Sequence, residues 1–418
     1  MEQHTIDKAV LVGLNADGFR PEEAATEQTL EELRLLLETA GGTCLGTVLQ
    51  NRHAPDAHSF IGEGKAQEVR ELAAALGANM VIFDNELSPS QIRALEELTG
   101  TVVLDRSALI LDIFAQRAKT AEGRLQVELA QYQYLLPRLS GMGRSMSRLG
   151  GGIGTRGPGE TKLETDRRHI RSRIAKLESD LDAVRKVRAT QRERRLHNSI
   201  PVVALVGYTN AGKSTLLNRL TGAGIPANNR LFDTLDTTTR RLRISDTLEV
   251  LLSDTVGFIA KLPHHLVKAF RATLEELEYA DLLIHVIDAA DPERDAHIAV
   301  VNRLISQLAK PDTPVLECYN KMDLVAPELL PCKRDAVAIN ARDGDGLEAL
   351  LRCIEDTLHR GLRHGVFLLP YAEGGWVEQL HRQAQVVRCD YRAEGIEIEA
   401  ICQEAIFGQL RAYLREVL

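Results

Sequence analysis

A glycine-rich segment, Gly207–Ser214, has residue types and spacing suited to holding phosphate groups. It reads GYTNAGKS, after the apolar run VVALV and before the helix-like run TLLNRL, which is the order that the phosphate-binding pattern G-x-x-x-x-G-K-[ST] requires. Glycines let the loop turn its N–H groups toward phosphates, Lys213 neutralises the β- and γ-phosphates, and the Ser214 hydroxyl suits Mg²⁺. The segment predicts a nucleoside triphosphate site in which Lys213 is catalytic and Ser214 is a metal ligand. The predicted nucleotide-binding residues here are Gly207, Tyr208, Thr209, Asn210, Ala211, Gly212, Lys213, Ser214 and Thr215.

A second motif, Asp254-Thr255-Val256-Gly257, ends the strand-like run EVLLS. A carboxylate at this place can hold Mg²⁺ through water, and the glycine N–H can contact the γ-phosphate. The tetrapeptide is weak by itself because many turns fit D-x-x-G. After a phosphate loop it predicts that all four residues bind nucleotide, with Asp254 at the metal and Gly257 in catalysis.

A third motif, Asn320-Lys321-Met322-Asp323, follows the strand-like run VLECY. The Asp323 carboxylate can accept both N–H groups on the guanine edge, and the Lys321 stem can cover the base. The order of the three motifs therefore favours GTP over ATP. Asn340-Ala341 follows DAVAI where a Ser-Ala pair usually completes the base site. We interpret these two residues as the base-contact loop, with the Ala341 amide as the contact that the change to asparagine leaves intact.

The threonine that would contact Mg²⁺ and the γ-phosphate lies in the run RLFDTLDTTT, residues 230–239. This run contains four threonines, of which we favour Thr234 as a metal ligand and catalytic residue; the alternative is an ordinary threonine-rich loop. Many GTPases place a water-orienting glutamine directly after D-x-x-G. This chain has Phe258 there, which cannot polarise water, so we predict slow intrinsic turnover and acceleration by a partner.

Asn210 leaves two alternatives open. Some related GTPases with asparagine at this position of the loop use it to help bind K⁺ beside the phosphates. The other interpretation is an asparagine that only shapes the loop.

The stretch Gly141–Gly159 lies in the one basic segment of an acidic chain. The net charge is −8 over 418 residues, whereas residues 138–200 hold 16 Lys and Arg against 7 Asp and Glu. The stretch reads GMGRSMSRLGGGIGTRGPG, with arginines at 144, 148 and 156. Residues Gly152–Gly157 fit G-x-G-x-x-G, the pattern of a dinucleotide-binding loop. That pattern needs a strand before it and a helix that begins inside it, and neither is predicted here. A flexible linker and an RNA-probing loop remain, and we favour the RNA-probing loop because arginines bind phosphate and stack on bases.

The order of the elements predicts an α/β multidomain protein. Residues 1–113 alternate strand-like and helix-like runs and predict a small α/β domain with a largely parallel sheet. Residues 114–200 predict a helical hairpin, with helical runs at 114–136 and 160–196 on either side of the Gly/Arg-rich loop and with Pro137 interrupting the pattern. Residues 201–362 predict the P-loop domain. Residues 366–418 predict a small α+β domain that closes with a helix and holds Trp376 in its core.

Composition argues against several classes of protein. Hydrophobic residues make up 44% and charged residues 26% of the chain, and no stretch approaches the roughly 18 apolar residues of a membrane span. The six cysteines form no C-x-x-C pair, so we expect neither a metal cage nor a disulfide framework. No basic region precedes the first apolar run, so we expect no signal peptide. The scattered cysteines fit a reducing cytoplasm, and we also expect no stable membrane insertion and a monomer.

The chain resembles the HflX family of ribosome-associated GTPases, within the Obg–HflX group. The resemblance covers nearly the whole chain and is carried, beyond the GTP motifs, by FIGEGK (60–65), NELSPSQ (85–91), LILDIFAQRAKTAEGRLQVELAQ (109–131) and GGIGTRGPGETKLETDRR (151–168). Thr237 stands where the family usually has proline, which puts the local loop shape in doubt.

The resemblance implies GTP/GDP and Mg²⁺ as cofactors and the large ribosomal subunit with its ribosomal RNA as partners. It also implies GTP-dependent splitting or rescue of stalled ribosomes under stress. A GTP-switched RNA-binding or ribosome-assembly factor is the alternative. An ATP site in residues 1–113 ranks last, because that segment has no second G-x-x-x-x-G-K-[ST].

Overall fold

The computed structural model describes residues 7–20, 23–139, 158–196, 200–222, 224, 231–232, 238–245, 248–261, 277–331, 333, 335–360 and 362–418. Thr234 and the Gly/Arg-rich residues 141–157 lie outside the described residues. The chain divides into two compact units. Unit 1 comprises Met1–Val184, Asn228–Asp236 and Gly257–Thr273, and unit 2 comprises Arg185–Ala227, Thr237–Val256 and Leu274–Leu418. The four segments predicted from the sequence stay a prediction.

Unit 1 begins with a four-stranded sheet in the order β2-β1-β3-β4, in which every pairing is parallel. This confirms the predicted α/β pattern. Helices α1–α3 connect the strands, as parallel pairing requires. The elements are β1 (Lys8–Ala16), α1 (Glu27–Ala40), β2 (Thr43–Arg52), α2 (Glu63–Leu76), β3 (Met80–Phe83), α3 (Pro89–Thr99) and β4 (Val102–Asp105).

The ends of these helices follow from local residues. At α3, Ser88 Oγ accepts from the Gln91 N–H, the Gln91 side chain accepts from the Ser88 N–H, and Pro89 takes the first helical position. This reciprocal capping box satisfies two donors that would otherwise lack partners. The helix stops at Gly100, which has φ +69°, a conformation that glycine adopts without strain.

Two helices replace the single helical run predicted at 114–136. Helix α4 (Arg106–Arg117) ends before Ala118, and α5 (Ala121–Arg138) begins after Thr120, whose hydroxyl accepts from the Gly123 N–H. The apolar spacing of residues 114–136 is compatible with one helix. The Thr120 cap starts a new helix instead, so the helical run breaks between α4 and α5. The predicted interruption at Pro137 is also wrong: Pro137 lies in the last turn of α5, where a missing N–H removes only one helical bond. The predicted domain boundary at 113/114 falls inside α4.

The long helix α6 (Pro158–Leu196) confirms the second helical run. In unit 1 it packs on α5 through Leu129, Leu177 and Leu181, all buried. Arg173 on α6 also forms an ion pair with Glu128 on α5. These contacts form the predicted helical hairpin.

Unit 2 contains a six-stranded sheet in the order β10-β9-β8-β5-β7-β6, parallel except for the β6–β7 pair. Its core is apolar, with Val203, Leu205, Leu252 and Ile284 fully buried. The elements are β5 (Val202–Val206), α7 (Lys213–Thr221), β6 (Thr238–Arg243), β7 (Glu249–Asp254), β8 (Leu282–Asp288), α8 (Arg294–Leu308), β9 (Val315–Asn320), β10 (Ala336–Ala338) and α9 (Leu347–Leu358).

A second sheet in unit 2, antiparallel in the order β12-β13-β11-β14, confirms the predicted α+β segment. The prediction ended on a helix, but a further strand, β14, follows it and pairs with β11. Four residues, LREV, are too few for alternation to identify a strand from sequence. Trp376 packs against the core of this sheet, as predicted. The elements are β11 (Leu362–Leu369), α10 (Gly375–Gln383), β12 (Gln385–Arg392), β13 (Gly395–Gln403), α11 (Glu404–Gln409) and β14 (Leu414–Val417).

A buried charge cluster lies in unit 1 at the carboxyl end of β3. The Asp84 side chain is fully buried and accepts hydrogen bonds from Arg106 at 2.7 Å, from the Thr29 hydroxyl at 2.7 Å and from Lys261. Arg106 also forms an ion pair with Glu32. Burial lowers the pKa of Lys261, and the nearby Asp84 opposes that shift. Removing one member of such a buried pair typically costs about 3–5 kcal/mol, because the remaining charge stays desolvated.

Candidate functional site

The phosphate loop in unit 2 connects β5 to α7. A Cβ on Gly207 would lie 2.2 Å from the Val286 carbonyl oxygen of β8, and a Cβ on Gly212 would lie 2.1 Å from Asn320 Nδ2. Gly212 also has φ +98°. Both glycines are therefore required by close contacts, and the loop lies directly against β8 and the end of β9. This is the carboxyl edge of the sheet, where open α/β sheets bind ligands.

Lys213 is buried at the first position of α7, with 6% of the residue exposed. Its ammonium donates to the carbonyl oxygens of Gly207 at 3.0 Å and Tyr208 at 2.8 Å. Burial lowers its pKa to about 8, and the opposite charge of Asp254 partly offsets the shift. A triphosphate in the loop would give this ammonium a charged partner in place of two neutral carbonyl groups.

Ser214 and Asp254 form the candidate metal site. The Ser214 hydroxyl donates to Asp254 Oδ2 at 2.7 Å, although the two residues are 40 positions apart. The Asp254 side chain is fully buried at the end of β7. The donor set of one hydroxyl and one carboxylate suits a hard cation that takes its remaining ligands from phosphate and water. Among the described residues no group of three or more His, Cys, Asp or Glu is placed to hold a metal ion.

Thr255 connects the second motif to the phosphate loop strand. Its buried hydroxyl donates to the Leu205 carbonyl oxygen of β5 at 2.6 Å. Val256 and Gly257, which complete the motif, are also buried. Phe258 is 1% exposed, so its ring is part of the packed interior.

Asn320 bridges the phosphate loop and the predicted base loop. Its Nδ2 donates to the Ala211 carbonyl oxygen at 2.9 Å, and its Oδ1 accepts from the Ala341 N–H at 3.0 Å. The structure thus brings together three sequence motifs that are up to 130 residues apart in the chain. A base contact from the Ala341 amide would have to share or replace the bond to Asn320.

Lys321 and Asp323 follow Asn320 at the edge of the sheet. Lys321 has φ +62° and its ammonium lies 2.5 Å from Asp288 Oδ2. The ion pair fixes the lysine stem over the end of β8. Asp323 is exposed, so its carboxylate is accessible to a base.

Asn340 has its side chain engaged within its own loop. Oδ1 accepts from the N–H groups of Arg342 at 3.0 Å and Asp343 at 3.2 Å, and Nδ2 donates to Asp343 Oδ2 at 2.8 Å. This is the local turn that asparagine side chains typically form. The residue therefore shapes the base loop around Ala341.

Sequence reasoning missed a group of residues beneath the phosphate loop. The Tyr208 ring stacks on His297 of α8 with centroids 3.7 Å apart, and His297 Nδ1 lies 2.7 Å from Asp291 Oδ2. Buried His285 on β8 has its pKa lowered to about 4 by desolvation, so it is neutral near pH 7. Tyr208 belongs to the phosphate-loop motif, but no motif marks His285, Asp291 or His297. The available signal was the run of acids and histidines that begins at Asp288, the last residue of β8 and the partner of Lys321.

Three family models match consecutive parts of the chain. They are described as "GTP-binding GTPase N-terminal" over residues 27–115, "GTP-binding GTPase Middle Region" over 117–195 and "50S ribosome-binding GTPase" over 202–321. Together they extend from α1 through the Asn320-Lys321 motif.

Curated relatives match nearly the whole chain. A GTPase HflX of Caldanaerobacter subterraneus subsp. tengcongensis is 47% identical over 418 residues, covering 99% of this chain and 96% of the relative. A GTPase HflX of Escherichia coli is 46% identical over 353 residues, covering 83% of each chain. A solved structure described as "crystal structure of SsGBP and GDP complex" has a TM-score of 0.48 at 25% identity, covering 85% of this chain and 99% of the other.

Proposed function

The chain belongs to the HflX family of GTPases and hydrolyses GTP, and from this membership we propose that it acts on the ribosome. It binds the large ribosomal subunit through contacts with ribosomal RNA and splits or rescues stalled ribosomes under stress, working in the cytoplasm as a monomer. The observation that carries the proposal is the match of residues 202–321 to the "50S ribosome-binding GTPase" model. It is supported by the contacts that join Ser214 to Asp254 and Asn320 to Ala211 and Ala341 at one edge of the sheet.

The nucleotide site assigns a role to each motif. The phosphate loop wraps the phosphates, with Lys213 on the β- and γ-phosphates. Ser214, Thr234 and Asp254 would hold Mg²⁺, and the Gly257 N–H would contact the γ-phosphate. Asn320 with Lys321 and Asp323 positions and recognises guanine beside Asn340-Ala341. Bound Mg²⁺ would supply positive charge to the phosphate oxygens during phosphoryl transfer.

The proposed partner accelerates hydrolysis, because the isolated site lacks a side chain that orients the attacking water. Phe258 is buried and cannot orient water, so hydrolysis without a partner is slow. The arginines at 144, 148 and 156, which lie between α5 and α6 in the sequence, would contact the RNA of this partner. In the described part of α6, a group of cations continues this basic character: Arg167, Arg168, Arg171, Arg173 and Lys176.

The decisive experiment is GTP hydrolysis by the purified protein with and without large ribosomal subunits, with ATP as the control nucleotide. We expect strong stimulation that is specific to GTP and that falls when Arg144, Arg148 and Arg156 are all replaced by alanine. A normal basal rate without stimulation would reject the large subunit as the partner.

A second assay separates splitting from simple binding. Whole ribosomes are incubated with the protein and GTP or a non-hydrolysable analogue, and subunits are resolved on sucrose gradients. Appearance of free subunits supports splitting, and splitting with the analogue would assign hydrolysis to release. Binding without free subunits would favour a GTP-switched assembly or RNA-binding factor.

A further inference from the structure

The backbone carbonyl of Tyr208 lies at the centre of the hydrogen bonds within the phosphate loop. Its oxygen accepts from the Lys213 ammonium at 2.8 Å and from the Ala211 N–H at 3.3 Å. The position of this carbonyl therefore affects both the lysine that would face the β- and γ-phosphates and the path of the loop that would wrap them. Tyr208, with 8% of the residue exposed, belongs with the rest of the loop to unit 2.

The loop does not hold this shape by its own backbone preference. Asn210 has φ +62°, a left-handed conformation that non-glycine residues keep only where the surroundings determine it. One source of that support is the side chain of Tyr208. Its ring stacks on His297 of α8, with centroids 3.7 Å apart and planes 11° apart, so the loop is held against a helix that also belongs to unit 2.

His297 has a fixed orientation because Asp291 holds its ring. The ring Nδ1 lies 2.7 Å from Asp291 Oδ2, and Asp291 Oδ1 accepts from the Glu293 N–H at 2.9 Å. The hydrogen bond to His297 is the main cause that lowers the pKa of Asp291. The carboxylate is therefore ionised near pH 7 and can only accept, so Nδ1 carries the hydrogen. The imidazole cannot turn away from Tyr208 without losing this bond.

The base part of the site has a separate support on the same connection between β8 and α8. Asp288, at the end of β8, has Oδ2 at 2.5 Å from the Lys321 ammonium, and its Oδ1 accepts from the Ala290 N–H at 3.1 Å. These contacts do not involve His297. The phosphate loop is thus supported through His297 and the base motif through Asp288, and the two supports can be removed one at a time.

We propose that His297 is a positioning residue for the phosphates of the nucleotide: its imidazole, fixed by Asp291, holds the Tyr208 ring and so keeps the phosphate loop in the shape that wraps them. The proposal rests on the proposed role of the loop. A stacked aromatic pair contributes roughly two- to tenfold to an equilibrium constant. Without the stack, the phosphates would have to order the loop as they bind, and that cost lowers their affinity.

The test measures the equilibrium affinities of GDP and GMP for the full chain and for His297→Ala. GDP brings a β-phosphate into the loop and GMP does not. We expect GDP affinity to fall about fivefold, whereas GMP affinity, which depends on the base part of the site, should change by less than about twofold. A substitution that only loosened the domain would weaken both nucleotides equally. His364→Ala is the matched control, since His364 is similarly exposed and also pairs with a carboxylate, that of Glu399, in the second sheet of unit 2.

Two further variants separate the ring from the hydrogen bond. His297→Phe keeps a ring against Tyr208, lacks only the bond that orients it, and should recover most of the GDP affinity. His297→Gln keeps a donor for Asp291 without a ring and should resemble His297→Ala. Thermal unfolding of each variant checks that unit 2 still folds. If His297→Ala does not fold, the comparison of His297→Phe with His297→Gln decides the question.

A double-mutant cycle tests the stack itself. Tyr208→Leu should lower GDP affinity about fivefold, and the double variant with His297→Ala should also be about fivefold weaker rather than about 25-fold, because both changes remove one interaction.

Three results would overturn the proposal. They are an unchanged GDP affinity in a folded His297→Ala, equal losses for GDP and GMP, and a loss of GDP affinity that His297→Gln restores and His297→Phe does not, which would assign the effect to the hydrogen bond with Asp291. If the wild-type protein failed to bind GDP, the proposed nucleotide site would be wrong instead. Normal wild-type binding with an unaffected His297→Ala would reject only the positioning role.

Discussion

Raising the pH should weaken GTP binding through Lys213. Burial places the pKa of its ammonium at about 8 without nucleotide, so about 90% of the group is charged near pH 7 and about 10% near pH 9. A bound triphosphate favours the charged form and raises the pKa again. Each binding event near pH 9 must then include proton uptake, and affinity should fall about tenfold, or about 1.4 kcal/mol, between about pH 7 and pH 9.

The assay is a titration with a fluorescent GTP analogue at fixed ionic strength and Mg²⁺. Lys213→Arg is the matched control, because a guanidinium stays protonated throughout this range. The variant should bind GTP more weakly, since a guanidinium is larger than the ammonium that the loop encloses. Its affinity should not show the fall with rising pH that we expect from deprotonation of Lys213. Any loss common to both proteins comes from other groups, such as the guanine ring itself. His285 does not contribute, because its pKa of about 4 leaves it neutral across the range.

The stability of the nucleotide-free protein should change with pH in the opposite direction. The folded-state pKa of Lys213 lies below its unfolded value, so between about pH 8 and pH 10 the unfolded chain binds more protons and this group adds stability as pH rises. A flat wild-type binding curve, or an equal decline in Lys213→Arg, would refute the role of Lys213 burial.

Three further changes test other parts of the structure. Gly212→Ala should abolish GTP binding, because its Cβ would lie 2.1 Å from Asn320 Nδ2. Gly222→Ala, which is also at positive φ but in open space, should retain binding. Equal GTP affinities of the two variants in a nucleotide titration would contradict this prediction. Ser88→Ala should lower the unfolding free energy by about 1 kcal/mol by removing a helix cap, and a denaturant midpoint that matches the wild type would argue against the cap. Phe258→Gln should lower the melting temperature, because the substitution buries an amide in the packed interior. It should not raise the GTPase rate measured without a partner. A faster rate would place this side chain near the attacking water.

The motifs of the nucleotide site could be predicted because their chemistry is local. Gly207–Ser214 needs glycines, a lysine and a hydroxyl at fixed spacing, and the strand before it is a plain apolar run. The capped helices of unit 1 could be located for the same reason, since serine, proline and glycine act on adjacent backbone groups. The parallel pairing of the first sheet, although not the order of its strands, followed from the alternation of strands and helices.

Contacts between distant residues could not be predicted in the same way. Lys261 and Asp84 are 177 residues apart, and nothing in either neighbourhood distinguishes a buried pair from two surface charges. The break between α4 and α5 was missed because the apolar spacing suits one helix, and only Thr120 signals a new start. The turn formed by Asn340 depends on which backbone groups its amide reaches, which composition does not reveal.

The bridge that Asn320 makes between Ala211 and Ala341 has a consequence for how nucleotide fragments bind. Because the Asn320 side chain bonds to both loops, a ligand that orders one part of the site also orders the other part. Guanosine that orders the base loop also steadies the phosphate loop, so pyrophosphate should bind more tightly when guanosine is present. The two halves of GDP should therefore bind with positive cooperativity even when no covalent bond joins them.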